Sequence, residues 1–108
     1  GAFHSPFMEE ASNAFARKVD QLQFSDAIFP VLSNCEPTPE RSGDLLKNRL
    51  KHQMISGVRW RETMEIMVGE GISTLVEIGP GNVLSGLAKR SLKGITTSQL
   101  ATSADLGY

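Results

Sequence analysis

The residue of this sequence with the clearest capacity for chemistry is His4, set in the opening run Gly1-Ala2-Phe3-His4-Ser5-Pro6. An imidazole titrates near neutrality, so it can take a proton in one step and return it in the next. A hydroxyl nucleophile needs such a base beside it before it can attack. None of the serines stands in a Gly-x-Ser-x-Gly arrangement, so no elbow nucleophile accompanies His4 in this chain. Considered alone, a single loop histidine is more often structural than catalytic. His4, His52 and Cys35 show no zinc-ligand spacing, and one cysteine cannot form an internal disulfide. Cys35 is expected as a buried or half-buried free thiol. Gly79-Pro80-Gly81 has the outline of a phosphate loop, but Leu84 stands where the third glycine would be and Pro80 removes a backbone donor. We read it as a sharp strand-to-helix turn.

The elements that must position these residues follow from hydrophobic spacing. Ser5-Pro6 supplies an N-cap and a first-turn proline, and Met8, Ala11, Phe15, Val19 and Leu22 keep helical spacing, which predicts a helix from Pro6 to Leu22. Ile28 to Leu32 is short, apolar and partly β-branched, as in a strand buried on both faces, although Pro30 would cost it a ladder hydrogen bond. Pro37 to Gly43 reads as a loop, and Leu46, Leu50, Gln53 and Met54 mark one face of a second helix closed off before Gly57. A third helix is expected from Arg59 to Val68, its Trp60, Met64 and Met67 stripe facing a core and Gly69 and Gly71 stopping it. Thr74 to Ile78 reads as a strand, Asn82 as the cap of a fourth helix to about Leu92, and Gly94 as that helix's C-terminal cap. Ile95 to Gln99 reads as a last strand and Ala104 to Tyr108 as a fraying tail. Strands alternating with helices indicate an α/β architecture with a mainly parallel sheet flanked by helices. Two or three strands make an incomplete sheet on their own.

Composition narrows the class. The 108 residues are 40% hydrophobic and 21% charged, which is ordinary globular usage and expected of one domain at most. Eleven Lys and Arg against twelve Asp and Glu are scattered without a basic run, which argues against a nucleic-acid partner. No apolar stretch approaches the length of a bilayer span and no charged-then-apolar leader opens the chain, so neither membrane nor secretion is expected and a reducing cytoplasm fits. The chain opens on Gly1, with no start methionine, and His4 has no preceding element to support it. It reads as part of something longer.

The opening run followed by Met8 resembles the Gly-(Ala/Pro)-Phe-His-(Ser/Cys)-x-x-Met segment of malonyl-CoA:acyl carrier protein transacylases and of polyketide-synthase acyltransferase domains. The resemblance continues in order through Pro30-Val31, Ser33-Asn34, Gln53, Val58-Arg59-Trp60 and Glu77-Ile78-Gly79-Pro80-Gly81-Asn82 to Lys89-Arg90, and weakens after Lys93. It implies that residues 1–108 are the C-terminal part of the large α/β-hydrolase-like subdomain of an acyltransferase. The activity implied is transfer of a malonyl group from malonyl-CoA to the phosphopantetheine thiol of acyl carrier protein in fatty acid biosynthesis, through a malonyl-serine ester and with no cofactor. His4 matches the catalytic histidine. Gln53 matches a glutamine whose backbone carbonyl accepts a hydrogen bond from that ring; its plainer reading is a polar residue at a helix end. Phe3 matches a position that is Phe in malonyl-selective enzymes and Ser in many methylmalonyl-selective ones, with core packing as its plainer reading. The family's serine, carboxylate-binding arginine and oxyanion-hole donors have no match here, and Gly57 stands where many relatives carry proline. The implied partners are acyl carrier protein and the N-terminal part of the same enzyme, without which this chain is expected to be inactive. An acyltransferase fragment of a polyketide synthase and a non-catalytic interaction fragment remain as alternatives.

Overall fold

A computed structural model describes all 108 residues, as four α-helices and a two-stranded parallel sheet in an α/β arrangement. The chain falls into two compact units, Gly1–Thr63 and Met64–Tyr108, with the division inside the third helix.

The first unit is built on a helix pair. A 3-10 turn, Pro6–Met8, leads into α1 (Glu9–Asp20), whose Glu9 and Glu10 lie at the positive end of the helix and Arg17 and Lys18 at the negative end. Val19, 2% exposed, and Ser12, 4% exposed, are its buried residues. The expected cap at Ser5 is not formed. Its hydroxyl donates to the Ala2 carbonyl instead, and the Met8 N–H that such a cap would take donates to the Ser5 carbonyl at 3.1 Å. A long irregular segment then reaches α2 (Gly43–His52).

The strand expected over Ile28–Leu32 is absent. Val31 makes only an isolated antiparallel bridge to Glu40, through N–H···O bonds of 2.9 and 3.0 Å. Pro30 has no N–H to extend a ladder, and the Arg41 guanidinium takes the Ala27 and Ile28 carbonyls that a neighbouring strand would need. Ile28 and Phe29 are accordingly exposed, not buried on both faces.

The third helix, α3, runs from Trp60 to Gly69, one residue later at each end than expected and with Gly69 inside it, and has Met64 buried and Trp60 and Met67 half-buried. In the second unit β1 (Thr74–Ile78), α4 (Val83–Ser91) and β2 (Thr96–Leu100) form a βαβ unit. The strands pair in parallel register from Thr74↔Thr96 to Ile78↔Leu100. Ala88 of α4 is fully buried. The fourth helix closes at Leu92 in extended conformation, so Gly94, with φ +73°, turns the chain two residues beyond the cap. The tail expected to be irregular contains a 3-10 turn, Ser103–Leu106, with a capping box in which Asp105 accepts the Ala101 and Thr102 N–H groups.

Candidate functional site

His4 is placed by both its backbone and its ring. Its φ of +64° is the only positive value at a non-glycine residue, a left-handed conformation that a β-carbon disfavours and that surrounding bonds must hold. Its N–H donates to the Met54 carbonyl at 2.7 Å, and Nδ1–H donates to the Gln53 carbonyl at 3.0 Å. A carbonyl can only accept, so this contact requires the proton on Nδ1. In the neutral ring the lone pair is then on Nε2, the nitrogen available to act as a base. The ring is half-buried.

Both acceptors lie where α2 ends, Gln53 being its C-cap. The last carbonyls of a helix have no partner inside it, and they form the negative end of its dipole. Here they are taken up one by one. The Cys35 thiol donates to the Arg49 carbonyl, the Ser12 hydroxyl to the Lys51 carbonyl at 3.2 Å, and His4 to Gln53 and Met54. The Gln53 contact is made by its main chain, and Cys35 is half-buried.

The other end of α2 is fixed as closely. Ser42 accepts the Leu45 N–H, Asp26 Oδ1 accepts the Gly43 N–H at 2.9 Å, and Glu40 Oε1 accepts the Arg41 and Ser42 N–H groups, each at 2.8 Å. The Ser42 N–H, followed by that of Arg41, holds the Glu40 carboxyl below the usual carboxylate range. Between the ends, Arg49 is 8% exposed and binds the Thr38 carbonyl at 2.6 Å, the Thr38 hydroxyl at 3.0 Å and the Glu36 carboxylate at 3.2 Å. It draws the 36–40 loop onto the helix. The neighbouring Asn34 carbonyl accepts the Arg59 N–H.

Phe3 is 59% exposed, so core packing does not account for it within this chain. The Gly79-Pro80-Gly81 turn has glycine φ values of +133° and +88°, which explains both glycines. Asn82 does not cap α4 as expected, because Glu77 from the end of β1 takes its place and accepts the Leu84 and Ser85 N–H groups at 3.1 and 2.9 Å. Hydrogen bonds from the Ser85 hydroxyl, then from the Ser85 and Leu84 N–H groups, hold the Glu77 carboxyl below its ordinary range. With these donors occupied by the protein's own carboxylate, the turn does not serve as a phosphate cradle.

Ser12, Arg49, Asp26 and Glu77 were not singled out from sequence. Ser12 carries a signal in retrospect, as a polar residue seven before the buried Val19 and so on the same helix face. No group of three or more His, Cys, Asp and Glu is placed to hold a metal ion, and no helix is long and apolar enough to cross a membrane.

No family model matches the chain. The malonyl CoA-acyl carrier protein transacylase of Synechocystis sp. PCC 6803 is 46% identical over 107 residues, which are 98% of this chain and 36% of that protein. The crystal structure of the Synechocystis enzyme superposes with a TM-score of 0.91, covering 99% of this chain and 36% of that one. A malonyl-transacylase solved in complex with a type II polyketide acyl-carrier protein gives 0.85 at 31% identity, covering 96% of this chain and 34% of its own. The chain thus spans about a third of the length of the relatives it matches.

Proposed function

We propose, for a chain that belongs to the malonyl CoA-acyl carrier protein transacylase family over 98% of its own length, that it supplies the general base of a malonyl transfer whose serine nucleophile lies in another part of the same protein. The observation that carries this reading is the Nδ1 contact of His4 with the Gln53 carbonyl, which leaves Nε2 free to accept a proton. In the first half-reaction Nε2 takes the serine hydroxyl proton as the oxygen bonds to the malonyl carbonyl carbon. The carbon–sulfur bond to coenzyme A then breaks, and the imidazolium protonates the departing thiolate. In the second half-reaction Nε2 takes the proton of the phosphopantetheine thiol, sulfur attacks the malonyl-serine ester, and the serine oxygen recovers the proton. A neutral carbonyl partner orients the ring through both cycles without adding a full negative charge, in contrast to the aspartate of serine proteases.

Other features of the chain fit the same reading. Phe3, adjacent to His4 and largely exposed, is available to border the acyl group and exclude an α-methyl branch. Acyl carrier protein is the acceptor, and the complex of a related transacylase with its carrier protein supports that choice. Because the carrier in that complex belongs to a polyketide system, it also favours a second reading in which the acceptor here is a polyketide carrier. We place the reaction in the cytoplasm, in keeping with the free thiol of Cys35.

The test joins this chain to the serine-bearing part and follows malonyl-carrier formation by mass. His4→Ala should lower turnover by at least about a hundredfold, the scale of lost general-base catalysis. Gln53→Ala, which keeps the carbonyl, should cost far less. Equal losses would assign the role to the Gln53 side chain, and unchanged turnover in His4→Ala would overturn the assignment of the base.

A further inference from the structure

The contact that sets the tautomer of His4 joins two segments 49 residues apart, and a single hydrogen bond between them does not by itself fix their spacing. A second strut runs beside it. Ser12, 4% exposed in α1, donates its hydroxyl to the Lys51 carbonyl at 3.2 Å. On one side, His4 and Ser12 belong to one continuous stretch, since the Pro6–Met8 turn runs directly into α1. On the other, Lys51 and Gln53 are two residues apart where α2 ends. Lys51 is held further by its ammonium, which pairs with Asp20 of α1 at 2.7 Å. That pair is exposed on the Asp20 side and screened by solvent, whereas the Ser12 bond is shielded.

We infer that Ser12 is a positioning residue for His4: by anchoring the Lys51 carbonyl to α1 it holds the Gln53 carbonyl where Nδ1–H must donate. The inference rests on the reading of His4 as the general base. Deleting the hydroxyl leaves the Lys51 carbonyl without its buried donor. The α1–α2 spacing relaxes at that point, and the His4–Gln53 bond lengthens with it. A ring released from Nδ1–H donation exchanges to the Nε2–H tautomer, whose outward nitrogen carries a proton and cannot act as a base.

The test uses the whole protein with 15N-labelled histidine. In the wild type the neutral His4 ring should show a protonated Nδ1 and a bare Nε2. Ser12→Ala should move the ring nitrogens toward the Nε2–H pattern and lower kcat by about fivefold, the rate equivalent of one neutral hydrogen bond, with KM unchanged. Ser12→Thr, which keeps a hydroxyl, should restore both. His52 is a comparison ring, because its Nδ1 bonds to the Asn48 carbonyl within α2 and not to a neighbouring segment. A His4 ring pattern identical to wild type in Ser12→Ala would overturn the inference, even if the variant melts earlier, since Ser12 would then be structural only. The outcome is separable from that of the base assignment. If His4→Ala keeps full turnover, the proposed function fails whatever the Ser12 spectra show.

Discussion

Replacing Gly43 by alanine tests how tightly the helix that carries the His4 acceptor is seated. A β-carbon built at Gly43 would lie 2.4 Å from the Phe24 carbonyl oxygen and 2.8 Å from the carbonyl carbons of Phe24 and Ser25. All three atoms are backbone, so no side chain can rotate away and one segment must move by roughly half an ångström or more. Overpacking of this kind costs about 1–3 kcal/mol. The movement also strains the 2.9 Å bond from the Gly43 N–H to Asp26, a charge-assisted bond of about 1.5 kcal/mol or more. Opposing this, alanine gains up to about 1 kcal/mol of helix propensity over glycine. The net expectation is a loss of about 1–3 kcal/mol, and at about 4–8 °C per kcal/mol for a domain of this size the melting temperature should fall by about 4–24 °C. Thermal and urea melts of Gly43→Ala and Gly57→Ala provide the comparison, since a β-carbon at Gly57 meets nothing within 4 Å and that variant should hold or gain stability. A Gly43→Ala protein as stable as the wild type would refute the reasoning.

Two further outcomes follow from the geometry. The carboxyl of Glu77 is held below its ordinary range by Ser85 and Leu84, so its stabilisation is complete above the unfolded carboxyl value of about 4.3 and is lost as pH falls through the lower folded value. The stability gap between wild type and Glu77→Gln in urea melts should therefore be constant from about pH 7 to pH 5 and narrow below about pH 4; a gap undiminished under acid conditions would mean that the charge is not what caps α4. Phe3→Ser in the whole protein should raise methylmalonyl over malonyl transfer, compared as kcat/KM, by roughly one to two powers of ten. An unchanged ratio would locate selectivity elsewhere in the protein.

The parts of the fold legible in the sequence are those where local pattern and long-range context agree. Thr74–Ile78 is a β-branched run closed by a glycine turn, and its partner strand lies one helix later, so the βαβ unit follows from spacing. Ile28–Leu32 is also short, apolar and partly β-branched, but it carries Pro30. There a side chain thirteen residues on, Arg41, takes the Ile28 carbonyl, and no local pattern reveals it. Local pattern points to Asn82 as the cap of α4, yet Glu77 reaches it from β1 across the turn, and a carboxylate is the stronger acceptor for two N–H groups. The expectation for His4 and Gln53 came from the order of short motifs and not from their separation. Arg49 is not legible in the sequence, because an arginine near a helix end ordinarily reads as surface charge and its burial depends on loop carbonyls of Glu36 and Thr38 that only folding brings near.

The helix pair has one further consequence, for how the first unit opens. Lys47 of α2 donates to the Asp20 and Leu22 carbonyls that finish α1, while Ser12 and His4 donate to the carbonyls that finish α2. Each helix end thus takes donors from the other helix or, for His4, from the segment that leads into it. The two last turns are also joined directly by the Asp20–Lys51 pair, so their amide protons are expected to exchange together and not as a graded series from each tip inward. The backbone that orients His4 should then exchange as slowly as a core segment, although much of the surface around it is in contact with solvent.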